Sequence, residues 1–276
     1  MIRPSILLVL LFTGLAATTS AHLTPDDSLD LIELKLKDRP TDVPLLLDKA
    51  HVLLIMGQPV RAEQVLIRVD ELAEERDADT TYLYVLLHLT RGDLEKAFEI
   101  SDEGIRRFPD HPYQWDIRGR LAKAAGNTEE AIRAMTHSLR CRETVNTLNY
   151  IQIVTILLER DQPGDKERTL ALAREGIERI DSPSELLHLS IRLNSELGQY
   201  DQALEDISAL ERHYGKQVPF AAKRAAVLEE AGRNAEAVQA HRSAIALLEA
   251  RPQEQQNKQV EHLKKVFQMA VDELSE

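Results

Sequence analysis

The sequence predicts an all-α protein made of repeated helix pairs, and two observations carry this prediction. Of the 276 residues, 43% are apolar and 4% aromatic, with only 11 Gly and 11 Pro, a composition that favours helices over sheets. In addition, a Gly followed five residues later by a small residue recurs along the chain, with successive glycines 35, 34, 38, 34 and 34 residues apart. A period of this length is typical of stacked helical repeats.

The recurring Gly and small residue indicate how each helix pair is built. Gly tolerates the left-handed conformation that ends a first helix, and a small residue lets the second helix pack closely against it. Apolar residues at helical spacing precede each Gly and follow each small residue. The regular stations are Gly57 with Ala62, Gly92 with Ala97, Gly126 with Ala131, Gly198 with Ala203 and Gly232 with Ala237.

A sixth station, at Gly164, departs from the pattern. Four extra residues precede this Gly, and Thr169 stands where the other stations have Ala. We therefore expect a longer, irregular turn in the fourth helix pair. The simplest interpretation is a tolerated loop insertion, and the alternative is that the turn helps to shape a binding edge.

Three segments resemble the tetratricopeptide repeat family. Residues 198–203 (Gly-Gln-Tyr-Asp-Gln-Ala) are the closest single match, Trp115 and Gly119 stand at the family's first-helix packing positions, and residues 108–109 (Phe-Pro) resemble its unit ending. The resemblance covers roughly residues 43–250. It implies a right-handed superhelical solenoid of about six two-helix repeats.

The chain ends complete the domain assignment. Apolar residues at helical spacing predict a helix over residues 26–38 and another amphipathic helix near the C-terminus, and a repeat array needs such capping units with one polar outer face. We assign residues 1–21 to a signal peptide, 22–42 to an N-terminal capping helix, 43–252 to the repeat array with its irregular fourth unit at about 144–183, and 253–276 to a C-terminal capping helix.

The signal-peptide assignment rests on the first 21 residues. Arg3 precedes an apolar run at residues 6–17, which is shorter than the ~20 residues of a membrane span. Thr19 and Ala21 supply the small residues of a cleavage site, so the mature chain is expected to begin near His22. The prediction is an exported protein, periplasmic or secreted, without an integral membrane segment after cleavage. A retained N-terminal anchor is the alternative.

Charge and cysteine content exclude some classes of partner and anchor. The 34 Lys and Arg against 46 Asp and Glu give a net charge of −12, so nucleic acid is a poor candidate partner. Cys141 is the single cysteine, which rules out an internal disulfide and lies too far from the signal for a lipid anchor. We expect Cys141 to be buried.

The chain contains none of the common catalytic, phosphate-binding or calcium-binding motifs, and we predict that it is not an enzyme. Eight of its nine histidines are scattered along the repeats without paired ligand spacing, so neither a metal site nor a cofactor is predicted. The alternative is a small-ligand or metal-binding accessory protein. In that case the amine and imidazole of an N-terminal His22 together chelate copper.

The family resemblance implies that first helices line a concave groove that binds a peptide or protein partner. The groove residues predicted in this way are His51, Tyr82, Leu86, Tyr113, Asp116, Arg120, Lys123, His188 and Arg192, with Glu185, Ser195, Ala222, Ala226 and Glu229 beside them. Arg120 and Lys123 with Tyr113 favour an extended peptide or an acidic tail. Alternatively, both cations pair with Asp116.

The role of the apolar residues around Leu86 stays open at the level of sequence. Leu86 and its apolar neighbours either receive an amphipathic helix or pack against the N-terminal helix, and packing is the simpler interpretation. These neighbours are Leu47, Leu54 and Leu89.

The predicted function is an exported scaffold that binds peptide segments or partner proteins, in envelope assembly or secretion.

Overall fold

A computed structural model describes residues 24–181 and 183–275 of the chain, and these residues form fourteen α-helices and no strand. The all-α prediction is therefore confirmed. The helices are α1 (Pro25–Asp38), α2 (Val43–Ile55), α3 (Pro59–Leu72), α4 (Ala78–Arg91), α5 (Leu94–Arg107), α6 (Pro112–Ala124), α7 (Thr128–Cys141), α8 (Thr147–Arg160), α9 (Asp165–Arg179), α10 (Ser184–Glu196), α11 (Tyr200–Tyr214), α12 (Val218–Glu230), α13 (Asn234–Glu249) and α14 (Lys258–Ser275).

The chain divides into two compact units, one ending at Thr144 and the other beginning at Val145. In the first unit, α1 packs on α2, and three antiparallel pairs follow, α2 with α3, α4 with α5, and α6 with α7. The first helices α2, α4 and α6 also pack side by side. Their shared core includes Leu53, Leu87 and Leu121, which are completely buried.

The second unit repeats the same plan. Here α8 pairs with α9, α10 with α11, and α12 with α13, and α14 packs on α13. Ile191, Ile207 and Leu210 are buried between α10 and α11, and Val260 and Phe267 of α14 join Leu248 of α13 in another apolar cluster. Each unit is thus a short stack of helix pairs, as in a helical repeat solenoid. The handedness of the superhelix and the assigned domain boundaries stay predictions.

Backbone geometry explains the recurring Gly and Ala. Gly92 ends α4 with a φ of 78°, in the left-handed region where a Cβ is disfavoured, and its amide donates to the His88 and Leu89 carbonyls. The glycines at the other stations also have positive φ. The five alanines that follow are completely buried, which lets the paired helices approach closely. These alanines are Ala62, Ala97, Ala131, Ala203 and Ala237.

The fourth helix pair has an irregular turn, as its sequence predicts. The C-cap of α8 is Asp161, a non-glycine residue in the left-handed region with a φ of 46°. Gly164 is the N-cap of α9 rather than the C-cap of α8. Asp165 closes the turn because it accepts hydrogen bonds from Arg160 Nε at 2.9 Å and from the Gln162 amide at 2.9 Å. The insertion is therefore an ordered and internally bonded turn.

Electrostatics support the same turn. The Asp165 side chain is buried beside Arg160, whose hydrogen bonds lower the pKa of the Asp165 carboxyl to about 2. Thr169, which replaces the usual Ala, is completely buried, and its hydroxyl has no hydrogen-bond partner. The inserted turn is thus stabilised by a buried carboxylate, whereas the replacement of Ala by Thr169 leaves a buried hydroxyl without a hydrogen bond.

The structure also bears on the expected burial of Cys141 and on membrane spans, but not on the signal peptide. Cys141 is half-buried rather than buried, because it lies in the last turn of α7, and partial burial followed by Asp110 raises the pKa of its thiol. Within the described ranges, no helix has the length and apolar character of a membrane span. The signal peptide, its cleavage site and His22 lie outside the described residues.

Candidate functional site

The structure brings three of the predicted groove residues together as a row of rings. His51 of α2, Tyr82 of α4 and Tyr113 of α6 come from consecutive first helices of the first unit. The ring centroids of His51 and Tyr82 are 6.1 Å apart, and those of Tyr82 and Tyr113 are 5.9 Å apart. We call this row the ring row. Its members come from successive helix pairs but from different turns of their helices, because they precede Gly57, Gly92 and Gly126 by 6, 10 and 13 residues. The row therefore runs obliquely across the first helices.

Two residues that the sequence analysis did not select extend the ring row. The His111 ring lies 5.6 Å from that of Tyr113, and the guanidinium carbon of Arg142 lies 5.0 Å from the Tyr113 ring centroid. His111 is the N-cap of α6 and Arg142 follows the last residue of α7, so both stand at helix ends. A search restricted to the inner face of first helices could not have selected them.

Burial favours the neutral forms of two rings of this surface. Desolvation, reinforced by Arg120, lowers the pKa of His51, although Asp48 acts in the opposite direction. Burial also raises the pKa of the Tyr82 phenol. At neutral pH the His51 imidazole and the Tyr82 phenol are therefore uncharged.

The cation at the centre of this surface is already compensated. Arg120 lies 2.9 Å from Asp116, one helical turn away on α6, and both side chains are largely buried. Burial disfavours the charge of Arg120, but Asp116 and then Tyr82 outweigh it, so the pKa of Arg120 is raised. Of the two interpretations of this cation, the structure shows the pairing with Asp116, whereas Lys123 is exposed.

Leu86 does not contribute accessible surface. This side chain is only 4% exposed and packs in the apolar core of the first unit with Leu29, Leu54 and Leu89. Its prediction as a groove residue is therefore corrected, because the residue one turn after Tyr82 points into the core. The simpler interpretation, packing of these leucines with the N-terminal helix, matches this cluster.

The predicted residues of the second unit form a separate and sparser surface. His188 and Arg192 are exposed on α10, and the His188 ring lies 6.2 Å from that of Phe220. Burial, followed by the nearby Lys223, lowers the pKa of His188. Glu229, predicted to lie on an acidic inner stretch, instead bonds the buried His241 at 2.6 Å. This unit offers one pair of rings where the first unit offers a row.

The second unit also contains an outer cavity of about 670 Å³ between α11, α12 and α13. Leu204 and Leu228 form part of its floor. One arginine of its lining is paired within the cavity, Arg233 with Asp201 at 2.8 Å and with Glu236 at 2.7 Å. Another, Arg224, is paired with Glu211 at 2.7 Å.

Metal binding has no candidate centre in residues 24–181 and 183–275. No three His, Cys, Asp or Glu side chains there are grouped so that they could hold a metal ion. The predicted copper ligand His22 lies outside these ranges.

The chain aligns with several solved structures, two of which are described as tetratricopeptide repeat proteins. A chain of the APC/C hetero-tetramer Cut9–Hcn1 aligns with a TM-score of 0.44 and 12% identity over 87% of this chain, which spans 45% of that chain's length. YrrB, a TPR protein with an unusual peptide-binding site, aligns with a TM-score of 0.46 and 16% identity over 72% of this chain and 97% of its own. A tetratricopeptide repeat protein from Parabacteroides merdae gives a TM-score of 0.40 and 14% identity, with coverage of 88% and 92%.

Sequence comparison gives a family but no curated relative. No curated protein matches the chain. The sequence model described as tetratricopeptide repeat matches residues 68–260, which are 193 of the 276 residues. This match supports a protein–protein interaction scaffold as the general function. Since the matched region covers more than half of the sequence and coincides with the repeated helix pairs, the chain belongs to the tetratricopeptide repeat family.

Proposed function

We propose that the protein is an interaction scaffold that binds an extended segment of a partner protein along the ring row of its first unit. The single observation that carries this proposal is the even spacing of three rings, 6.1 Å and then 5.9 Å, across three consecutive helices. The rings of the ring row are supplied by His51, Tyr82 and Tyr113.

The ring spacing fits the geometry of an extended chain. An extended strand rises about 3.3 Å per residue, so every second side chain is about 6.6 Å from the last one on the same face. Successive rings of the ring row are separated by nearly the same distance. An extended segment that lies across α2, α4 and α6 would therefore place alternate side chains against consecutive rings.

The charge of the surface favours apolar and aromatic side chains in the bound segment. His51 is neutral because burial lowers its pKa, and Arg120 is paired with Asp116. With Arg120 compensated by Asp116 and Arg142 held against the Tyr113 ring, the rings gain more from apolar contact than from attraction to an acidic tail. We therefore favour an apolar or aromatic segment over the acidic tail that the sequence alone suggested. An enzymatic function is not proposed, since the family is generally non-catalytic.

We also propose that the protein acts outside the cytoplasm, in envelope assembly or secretion. The support is the sequence of residues 1–21, with a basic residue, an apolar run and small residues at the expected cleavage site. The mass of the native protein from separated cell fractions tests this proposal. A chain that begins near His22 in a periplasmic or secreted fraction would support it, and a full-length chain in the cytoplasm would contradict it.

Site-specific photo-crosslinking in the native host tests the proposed binding surface. A photo-reactive phenylalanine analogue replaces Tyr113, which is 44% exposed in the ring row, and in a matched strain it replaces Tyr214, which is 38% exposed in the second unit. The proposal predicts a discrete crosslinked partner from position 113 and none from position 214. Equal crosslinking at both positions, or crosslinking at position 214 alone, would contradict it.

A further inference from the structure

The two terminal helices expose apolar side chains on their outer faces, where a capped repeat array is expected to be polar. In α1, Leu31 is 43% exposed and Leu34 is 58% exposed, and in α14, Val266 is 44% exposed and Met269 is 69% exposed. Of the nine large apolar side chains that are exposed in the described residues, these two helices hold four. The apolar exposure is thus concentrated at the first and last helices of the stack.

Helical spacing places each exposed pair opposite the buried face of its helix or beside it. Leu29 is the buried residue of α1, and Leu31 and Leu34 lie about 200° and 140° around the helix from it, at about 100° per residue. In α14, Met269 lies about 180° and Val266 about 120° around the helix from the buried Val260. The exposed apolar residues of α1 therefore point away from α2, and those of α14 lie opposite the buried face of the helix or beside it.

The charges of the two helices follow opposite orders along the chain. In α1, residues 26–33 carry four acids and residues 35–38 carry two lysines and one acid. In α14, residues 258–265 carry three lysines and one acid, a net charge of +2, and residues 272–273 are both acidic. When α1 and α14 of two molecules lie parallel, Asp27 and Asp30 of α1 face the lysines of α14, whereas Glu33 is already paired with Lys49 of α2 at 2.9 Å. At the other end, Lys35 and Lys37 of α1, next to the acidic Asp38, face Asp272 and Glu273.

The charge order of α14 does not serve the stability of its own helix. The helix dipole favours acids at the N-terminus and bases at the C-terminus, which is the order in α1. The order in α14 is the reverse, since its lysines lie in the first two turns and Asp272 and Glu273 lie near its end. The intrinsic preferences of a helix thus leave this charge order unexplained, whereas complementarity to α1 explains it.

We propose that the outer face of α14 binds the outer face of α1 of a second copy of this chain, in a head-to-tail association. The apolar pair Val266 and Met269 would meet Leu31 and Leu34, flanked by the complementary charges. Such a contact joins two different surfaces, so a bound pair leaves one α1 and one α14 available for further copies. The contact is small, which predicts weak and concentration-dependent association.

Sedimentation velocity of the purified protein, from about 1 µM to about 1 mM, measures this association in the range of weak binding. The variants Leu34→Glu and Met269→Glu each place a charge on one of the two faces. Val60→Glu is the matched control because Val60 is 63% exposed on α3, a helix that is not part of either proposed face. We expect the normal protein and the Val60→Glu control to show a sedimentation coefficient that rises with concentration, and each end variant to stay monomeric over the same range.

Mixing the two end variants gives the most specific result. Leu34→Glu retains an intact α14 face and Met269→Glu retains an intact α1 face, so an equimolar mixture should form dimers but no larger species. Four results would overturn the proposal: a normal protein that is monomeric throughout, association by either end variant alone, the absence of dimers in the mixture, or a loss of association in Val60→Glu equal to that of the end variants.

Lys265→Glu tests the charge complementarity separately. It should weaken association by at least about tenfold, because it places an acid opposite the acids of α1. An unchanged affinity would contradict the proposed charge complementarity.

Discussion

Thr169→Ala should stabilise the protein, even though it removes atoms from the core. Thr169 lies in α9 at the position where five other helix pairs have a completely buried Ala. Its side chain is itself completely buried, and its hydroxyl has no hydrogen-bond partner. Folding therefore removes this hydroxyl from water without replacing the hydrogen bond that it loses.

The magnitude follows from three opposing contributions. Removing an unsatisfied buried hydroxyl should recover about 1–3 kcal/mol, and the higher helix propensity of Ala adds a few tenths of a kcal/mol. Loss of the γ-methyl group costs about 1 kcal/mol. The free energy of unfolding should therefore rise by about 1 kcal/mol, which for a chain of this size raises the melting temperature by about 2–4 °C.

Thermal and urea unfolding followed by circular dichroism measure the change, with Thr81→Ala as the control. Thr81 is also buried in a helix, but its hydroxyl donates to the Asp77 carbonyl at 2.7 Å. The same substitution should therefore destabilise the protein by about 1–2 kcal/mol at Thr81. If Thr169→Ala is destabilising to the same extent as Thr81→Ala, the hydroxyl of Thr169 has a partner and the reasoning is refuted.

Three other substitutions test the packing and electrostatics of the helix pairs. Ala203→Trp should overpack α10 against α11 and lower the free energy of unfolding by a few kcal/mol; an unchanged urea midpoint would contradict the assigned repeat register. Gly176→Ala should cost about 1–3 kcal/mol because a Cβ there would overlap the buried Leu186 side chain, and calorimetry that shows no loss would contradict this contact. Asp165→Asn should cost about 2 kcal/mol by weakening the bonds from Arg160. Because the folded-state pKa of Asp165, about 2, is below the ordinary value of 3.8, its contribution is complete above about pH 4 and is lost as pH falls towards 2. Acid unfolding of Asp165→Asn should accordingly be less steep than that of the normal protein over this interval, and identical slopes would contradict the assignment.

The repeat could be predicted from sequence because its determinants are local. Gly92 must end α4 in the left-handed region and Ala97 must be small where α5 meets α4, so both constraints leave a direct mark on the sequence. The fourth helix pair shows both what local sequence determinants predict and what they leave out. Its four extra residues and its Thr169 in place of Ala predicted an irregular turn, but the bonds from Arg160 to the buried Asp165 that order this turn depend on backbone geometry that no residue pattern specifies.

The surface was predicted less completely, because periodicity gives the face of a helix but not the depth of burial. Counting from each Gly placed His51, Tyr82 and Tyr113 on consecutive helices, and the structure brings their rings together. The same counting selected Leu86, which points into the core. It also missed Arg142, whose position over Tyr113 depends on how the chain turns after α7.

The most direct test of the proposed function is the affinity of the crosslinked partner segment, made as a peptide, for the protein and for two variants. Isothermal titration calorimetry would compare Tyr113→Ala, which removes one ring of the ring row, with Tyr214→Ala, which removes an exposed Tyr of the second unit. We predict that Tyr113→Ala weakens binding by at least about tenfold, which corresponds to about 1.4 kcal/mol, and that Tyr214→Ala leaves the affinity unchanged. Equal affinities for Tyr113→Ala and the normal protein would contradict the claim that the ring row is the binding surface.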